Sequence, residues 1–169
     1  MISTQPIQLI KYLGGKKRDQ NPNTEQLFYL SWEDAFWDLL TKKGVKKGAC
    51  ILVPEFFCGD VEINMKNHGY VVKHYPTNVD LTHDPKLFIK CLKTFNPKVV
   101  IIFNSLGIKN NLFDNLSCIE FISKNTLLVE DSVHSVVNPL ELKFYRKNHF
   151  VIDSLRKVIP MQGSFLYGR

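Results

Sequence analysis

Residues 99–103 read Val-Val-Ile-Ile-Phe, with Asn96-Pro97-Lys98 before them and Asn104-Ser105-Leu106-Gly107 after them. Five consecutive apolar residues between turn formers make a strand buried on both faces, because a strand with one wet face would alternate. Such a strand needs a helical layer above and below it, which is the arrangement of a mostly parallel sheet.

The segments on either side supply those layers. Upstream, Ser31 is placed to cap a helix whose first turn carries Glu33 and Asp34, favourable at a positive helix end, and Gly44 stops it. Its apolar residues Ala35, Phe36, Leu39 and Leu40 follow helical spacing. Residues 49–53 read as a short buried strand ending at Pro54, and 58–68 as a helix closed by Gly69. Residues 70–75 form a further strand, and Asp84-Pro85 a cap and first helical residue before a helix over 87–95. Downstream, the pattern predicts a helix over 112–123 and a strand over 126–130. Two further strands fall at 150–152 and 164–167. The expected fold is therefore α/β, a three-layer αβα sandwich around a mostly parallel sheet. Residues 1–30 are polar and aperiodic and read as an irregular arm, with the domain proper over 31–169.

Composition agrees and removes other classes. The chain has 169 residues, 44% hydrophobic and 22% charged, which suits one soluble domain and excludes disorder, collagen and coiled coil. No apolar run approaches the about 18 residues of a membrane span. The opening MISTQPIQLIKYLGG lacks a basic stretch ahead of an apolar one, so the expected location is the cytoplasm, with no membrane partner. Cys50, Cys58, Cys91 and Cys118 form no CxxC pair, so neither a zinc site nor a dithiol redox motif is expected. The net charge of +6 comes from clusters such as Lys16-Lys17-Arg18, Lys42-Lys43 and Lys46-Lys47, without aromatic interleaving. They read as solvated faces, so no nucleic-acid partner is expected. Gly14-Gly15-Lys16 follows no periodic strand and lacks the earlier glycine of a phosphate loop.

In parallel α/β sheets ligands bind beyond the carboxyl ends of the strands. The segments at those ends are Pro54-Glu55-Phe56-Phe57-Cys58-Gly59, then Asn104 to Gly107, Asp131-Ser132-Val133-His134, and Asp153-Ser154-Leu155-Arg156-Lys157. An acid, an imidazole, a hydroxyl and a lysine amine would converge on one rim. A lysine can hold pyridoxal phosphate covalently, and a carboxylate can keep a pyridine nitrogen protonated.

Three segments carry a family resemblance: ILVPEFFCGDVEINMKNHGY (51–70), VEDSVHS (129–135) and DSLRKVIPMQGSFLYG (153–168). In this order the chain resembles the large domain of fold-type I pyridoxal-phosphate enzymes, in particular the DegT/DnrJ/StrS-type sugar aminotransferases. The resemblance implies pyridoxal phosphate as cofactor, an amino donor such as glutamate, a keto (nucleotide-)sugar acceptor and a homodimer. It also implies roles. Lys157 matches the Schiff-base lysine and proton carrier, Asp131 the partner of the pyridine nitrogen, and His134 a group near the ring and its phenolic oxygen. Ser154 matches a donor to the cofactor phosphate, Phe57 and Cys58 the positions against the ring face, and Ser31 the start of a phosphate-cradling helix.

Two departures stand out. The family has glycine after that serine, for close backbone approach, where this chain has Trp32 and then Glu33. The match also ends soon after the strand beyond Lys157, which implies a truncated large domain without the small C-terminal domain. A degenerate, non-catalytic homologue and a basic nucleotide- or nucleic-acid-binding α/β domain are the alternative readings.

Overall fold

The structure is a computed structural model that describes residues 24–168. Residues 1–23 of the expected arm, with Lys16, Lys17 and Arg18, and Arg169 lie outside the described residues. Seven strands form one sheet: β1 (Glu25–Tyr29), β2 (Cys50–Pro54), β3 (Val71–Tyr75), β4 (Val99–Phe103), β5 (Leu127–Asp131), β6 (His149–Ile152) and β7 (Ser164–Gly168). Four helices connect them: α1 (Trp32–Lys42), α2 (Gly59–Asn67), α3 (Pro85–Phe95) and α4 (Leu116–Phe121). The strand order is β1-β7-β6-β5-β4-β2-β3. β3, β2, β4, β5 and β6 pair in parallel, and β7 runs antiparallel to both β6 and β1.

The doubly apolar reading of β4 holds, since all five of its residues are buried. Val99 and Ile101 join one apolar cluster with Ala35, Phe36 and Leu39 of α1, Met65 of α2, and Ile51, Val53 and Val129 of the sheet. Val100 and Ile102 join the other, with Phe88 and Leu92 of α3 and Cys118 and Ile119 of α4. The sheet is therefore the middle of three layers. The helix ends obey the local rules as well. Ser31 Oγ accepts the Asp34 amide of α1 at 3.1 Å, and Asp84 caps α3 ahead of Pro85.

Chain order reverses between β2 and β4. From β2 the chain moves outward to β3, then returns through α3 to the other side of β2. That reversal opens a crevice at the carboxyl ends of β2 and β4, where ligands of such sheets sit.

Two expectations are corrected. Residues 25–29, read as irregular, form β1, paired antiparallel along the full length of β7, with the Phe28 and Phe165 rings edge-on at 5.2 Å. As an edge strand β1 needs no continuous apolar run. The helix expected over 112–123 is broken. Asn110 Oδ1 accepts the Leu112 amide at 3.0 Å and starts a tight turn over Asn111–Phe113, and Asn115 is non-helical, so the α-helix begins at Leu116. Short amide side chains compete here with the helical ladder. Among the described residues no helix is long and apolar enough to cross a membrane.

Ile101 is fully buried on β4, whereas Val79 is fully exposed. Ile101→Ala is expected to lower the unfolding free energy by about 2–5 kcal/mol, and Val79→Ala to leave it nearly unchanged, both measured by urea denaturation. Equal effects at the two positions would contradict the layered core.

Candidate active site

The carboxyl ends of β2, β4, β5 and β6 place the chemistry-bearing residues. Asp131 is the last residue of β5 and lies beside Phe103 of β4 in the strand register. Its side chain is 4% exposed, and one carboxylate oxygen accepts the Val133 amide at 3.2 Å. Burial pushes its pKa up to about 7, against smaller opposing contributions from Val133 and Trp32. The neighbouring Glu130 points to the opposite face and differs sharply. Burial alone would raise it, but the His149 imidazole at 3.3 Å, Lys109 at 3.9 Å and Asn104 outweigh that and hold it below the usual range. Among the described residues no cation forms an ion pair with Asp131.

His134 lies three residues further on. Its Nδ1 accepts the Leu106 amide at 3.2 Å, which places the proton of the neutral ring on Nε2. The imidazole leans on Phe103 with ring centroids 5.2 Å apart. Burial and then the positive charge of Lys157 lower its pKa, so His134 and Lys157 lie within electrostatic reach. The loop that holds His134 is tight. Leu106 has φ +54°, and a Cβ on Gly107 would meet the His134 carbonyl oxygen at 3.0 Å.

Lys157 closes a short 3-10 turn, Leu155–Lys157, and its side chain is exposed. The turn is anchored by the Leu155 amide donating to Gly163 O at 2.8 Å. Ser154, just before it, is buried and does not cap the turn with its hydroxyl. Asp153 is structural: it accepts the Phe165 amide at 2.6 Å and the Tyr167 hydroxyl at 3.0 Å, joining β6 to β7.

The remaining expected residues are less concentrated. Phe57 is partly buried and meets Phe103 edge-on at 6.2 Å, so it belongs to the aromatic group formed by Phe103 and His134. Cys58 is exposed, and its carbonyl accepts the Glu62 amide of α2. No hydrogen bond joins Cys58 to the other candidates among the described residues. The Ser31 hydroxyl is committed within α1, donating to Asp34 at 2.8 Å while accepting that residue's amide. Glu33 accepts a bond from Asn64 of α2.

Two residues matter more than their sequence context suggests. Trp32, which stands where the family has glycine, is 7% exposed and stacked on Phe36 at 4.8 Å. Its Nε1 is a buried N–H without a hydrogen-bond partner among the described residues. Asn104 is a hub. Its amide donates to Glu130 at 2.7 Å and to Ser132 at 2.9 Å, and its oxygen accepts the Asn110 amide at 2.9 Å. Its place directly after an apolar strand was the available signal. Among the described residues, Lys43, Lys46, Lys47 and Lys98 lie elsewhere, lining a groove of about 520 Å³ at the amino ends of the strands.

No family model and no curated protein sequence matches the chain. Solved structures do. Histidinol-phosphate aminotransferase from Sinorhizobium meliloti, in complex with pyridoxal-5'-phosphate, superposes with a TM-score of 0.64 at 14% identity, over 86% of this chain and 42% of that one. N-Succinyldiaminopimelate aminotransferase from Mycobacterium tuberculosis gives 0.67 at 17%, over 90% and 44%. A Thermus thermophilus aspartate aminotransferase mutant gives 0.66 at 14%, over 85% and 41%. The fold is thus that of the large domain of fold-type I pyridoxal-phosphate aminotransferases. The chain spans about two fifths of the length of those structures.

Asp131 sets a pH dependence. A carboxyl ordinarily titrates near about 4, and the folded value is raised to about 7. Below about pH 4 it is protonated in both states and costs nothing. As pH rises toward 7 the folded state loses stability, because it holds a proton that the unfolded chain has released. Asp131→Asn is therefore expected to raise the unfolding free energy above pH 7, by on the order of 1–3 kcal/mol, with the gain vanishing below about pH 4. Denaturation of both proteins across this range checks it, and taking the difference cancels the parallel titration of Asp153.

Proposed function

We propose that the chain is the cofactor-binding portion of a pyridoxal-phosphate-dependent aminotransferase of the DegT/DnrJ/StrS type. The observation that carries this reading is the buried Asp131 carboxylate, without an ion-pair partner among the described residues and three residues from a neutral His134 that feels the charge of an exposed Lys157. A buried carboxylate gains most from a cationic partner, and a protonated ring nitrogen is one. The donor set thus fits the ring end of the cofactor.

Asp131 would hold the ring nitrogen in its protonated form. His134 would present its Nε2–H to a phenolic oxygen. Lys157 would attach the cofactor through Nζ, with loss of water, and carry a proton as general base once displaced by an amino donor. Ser154 would donate to the phosphate, and Phe57 would support the ring from the Phe103 side. Cys58 and Ser31 contribute less. The acidic first turn of α1, with Glu33 and Asp34, opposes a phosphate at that helix end. When bound, the cofactor supplies an electron sink for a carbanion at the carbon bearing the donor's nitrogen. The proposed donor is an amino acid such as glutamate, and the acceptor a keto (nucleotide-)sugar.

A homodimer in the cytoplasm belongs to the same reading. Exposed Phe56, Leu106, Ile108, Val136, Ile159 and Met161 give the rim an apolar surface that supports coverage by more chain or a second copy. The degenerate, non-catalytic reading is favoured by Trp32 and the acidic turn beside it.

Incubation with pyridoxal phosphate, borohydride reduction and peptide mapping separate the two readings. Label is expected mainly on Lys157, abolished in Lys157→Ala and weakened in Asp131→Ala. Label scattered over Lys42, Lys46 and other surface lysines would leave the fold without a working cofactor site. Sedimentation of the chain should show concentration-dependent self-association, and a monomer at all concentrations would contradict the covered rim.

A further inference from the structure

The loop after β4 turns back on itself and is closed by side chains at both ends. Asn104 Oδ1 accepts the Asn110 amide at 2.9 Å, and Asn110 Nδ2 donates to the Phe103 carbonyl at 3.0 Å. Asn104 Nδ2 donates to Glu130 at 2.7 Å and to Ser132 Oγ at 2.9 Å, both buried bonds. The Asn104 amide can lie only this way round, because a carboxylate accepts and a backbone N–H donates. Glu130 meets the far end of the loop as well, with Lys109 Nζ 3.9 Å away. Between these anchors Leu106 sits in the left-handed region at φ +54°. A residue with a side chain keeps that conformation only where its surroundings impose it. Held so, the Leu106 amide donates to His134 Nδ1 at 3.2 Å.

We propose that Asn104 is a positioning residue for His134: it ties the loop that supplies the Leu106 amide to Ser132, the first residue of the loop that carries the imidazole. This rests on the cofactor reading of the site, in which His134 presents Nε2–H to a phenolic oxygen. The Leu106 amide occupies Nδ1, so the proton of the neutral ring stays on Nε2. Phe103 supports the ring, with centroids 5.2 Å apart. The two loops lie so close that a Cβ on Gly107 would meet the His134 carbonyl oxygen at 3.0 Å. A small relative movement breaks the N–H···N bond, because hydrogen bonds weaken steeply with misalignment.

Asn104 makes no hydrogen bond to His134 among the described residues, so its action on the ring runs through Leu106 and Ser132. Loss of a purely structural bond would lower stability and leave the ring of the folded protein as it is. Loss of a positioning bond changes the ring in the folded protein. Charge is a separate influence, since Lys157 acts on His134, and His149 and Lys109 act on Glu130. Measurement at one pH, about 8.5, where imidazoles are neutral, keeps changes of protonation out of the comparison.

The full chain, labelled with isotopic nitrogen and without cofactor, is read by nitrogen NMR, with His134→Gln assigning the ring. Native His134 is expected as one tautomer, with Nδ1 bare and Nε2 protonated, and with a scalar coupling to Leu106 N across the hydrogen bond. Asn104→Ala should abolish that coupling and raise the Nδ1–H form about three- to tenfold, the effect of losing one ordinary hydrogen bond. The amide shifts of Ile101 and Val129 should stay in place, showing an intact sheet. Ser132→Ala cuts only the tie between the two loops. It should weaken the coupling and raise the Nδ1–H form by about threefold, and it carries the test if Asn104→Ala does not fold. A native ring without the coupling, or coupling and tautomer unchanged in either folded variant, overturns the proposal. Labelling by pyridoxal phosphate is scored separately. Failure to label Lys157 overturns the cofactor reading while the tie between the loops stands, whereas an unchanged tautomer in a chain that labels at Lys157 overturns the positioning role alone.

Discussion

A carboxylate buried at the end of an apolar strand is the constraint on which the site depends. β5 presents two adjacent acids to opposite faces of the sheet, and the protein treats them differently. Glu130 has partners within the protein, His149 at 3.3 Å, Lys109 at 3.9 Å and a hydrogen bond from Asn104, and that cluster ties the loop after β4 to β5 and β6. Asp131 receives a backbone amide, with no ion-paired protein cation among the described residues. Burying an ionised group without a partner is unfavourable by several kcal/mol, so the arrangement makes sense as one half of an interaction that a cationic ligand completes.

The sheet makes this burial possible. Because β4 is covered on both faces, helices must lie above and below it, and the parallel order places the carboxyl ends of β2 to β6 on one rim. The reversal between β2 and β4 then brings Phe56 and Phe57 against Phe103, beside His134. β1 and β7 close the edge next to β6, and Asp153 uses its carboxylate to fasten β7, which holds the turn bearing Lys157.

Much of this was legible in the sequence, for identifiable reasons. The run of residues 99–103 could only be a doubly covered strand, and Asp84-Pro85 and Ser31 marked helix starts that the structure keeps. β1 escaped notice because an edge strand needs only a partial apolar pattern, and its pairing with β7 is a contact between distant parts of the chain. The break before Leu116 arose from competition between asparagine side chains and the helical ladder, which a periodicity argument cannot weigh. At the site, Asp131, His134 and Lys157 could be singled out because each lies at or just beyond the end of a strand. The burial of Trp32 could not be, because it is decided by tertiary packing on Phe36.

The most direct test is a crystal structure of the chain grown with pyridoxal phosphate. The account predicts electron density continuous with Lys157 Nζ and a ring whose nitrogen meets the Asp131 carboxylate, with the strands and the Trp32 ring unmoved. Density lodged instead in the groove of Lys43, Lys46, Lys47 and Lys98, or a ring held at the rim with its nitrogen turned away from Asp131, would contradict it.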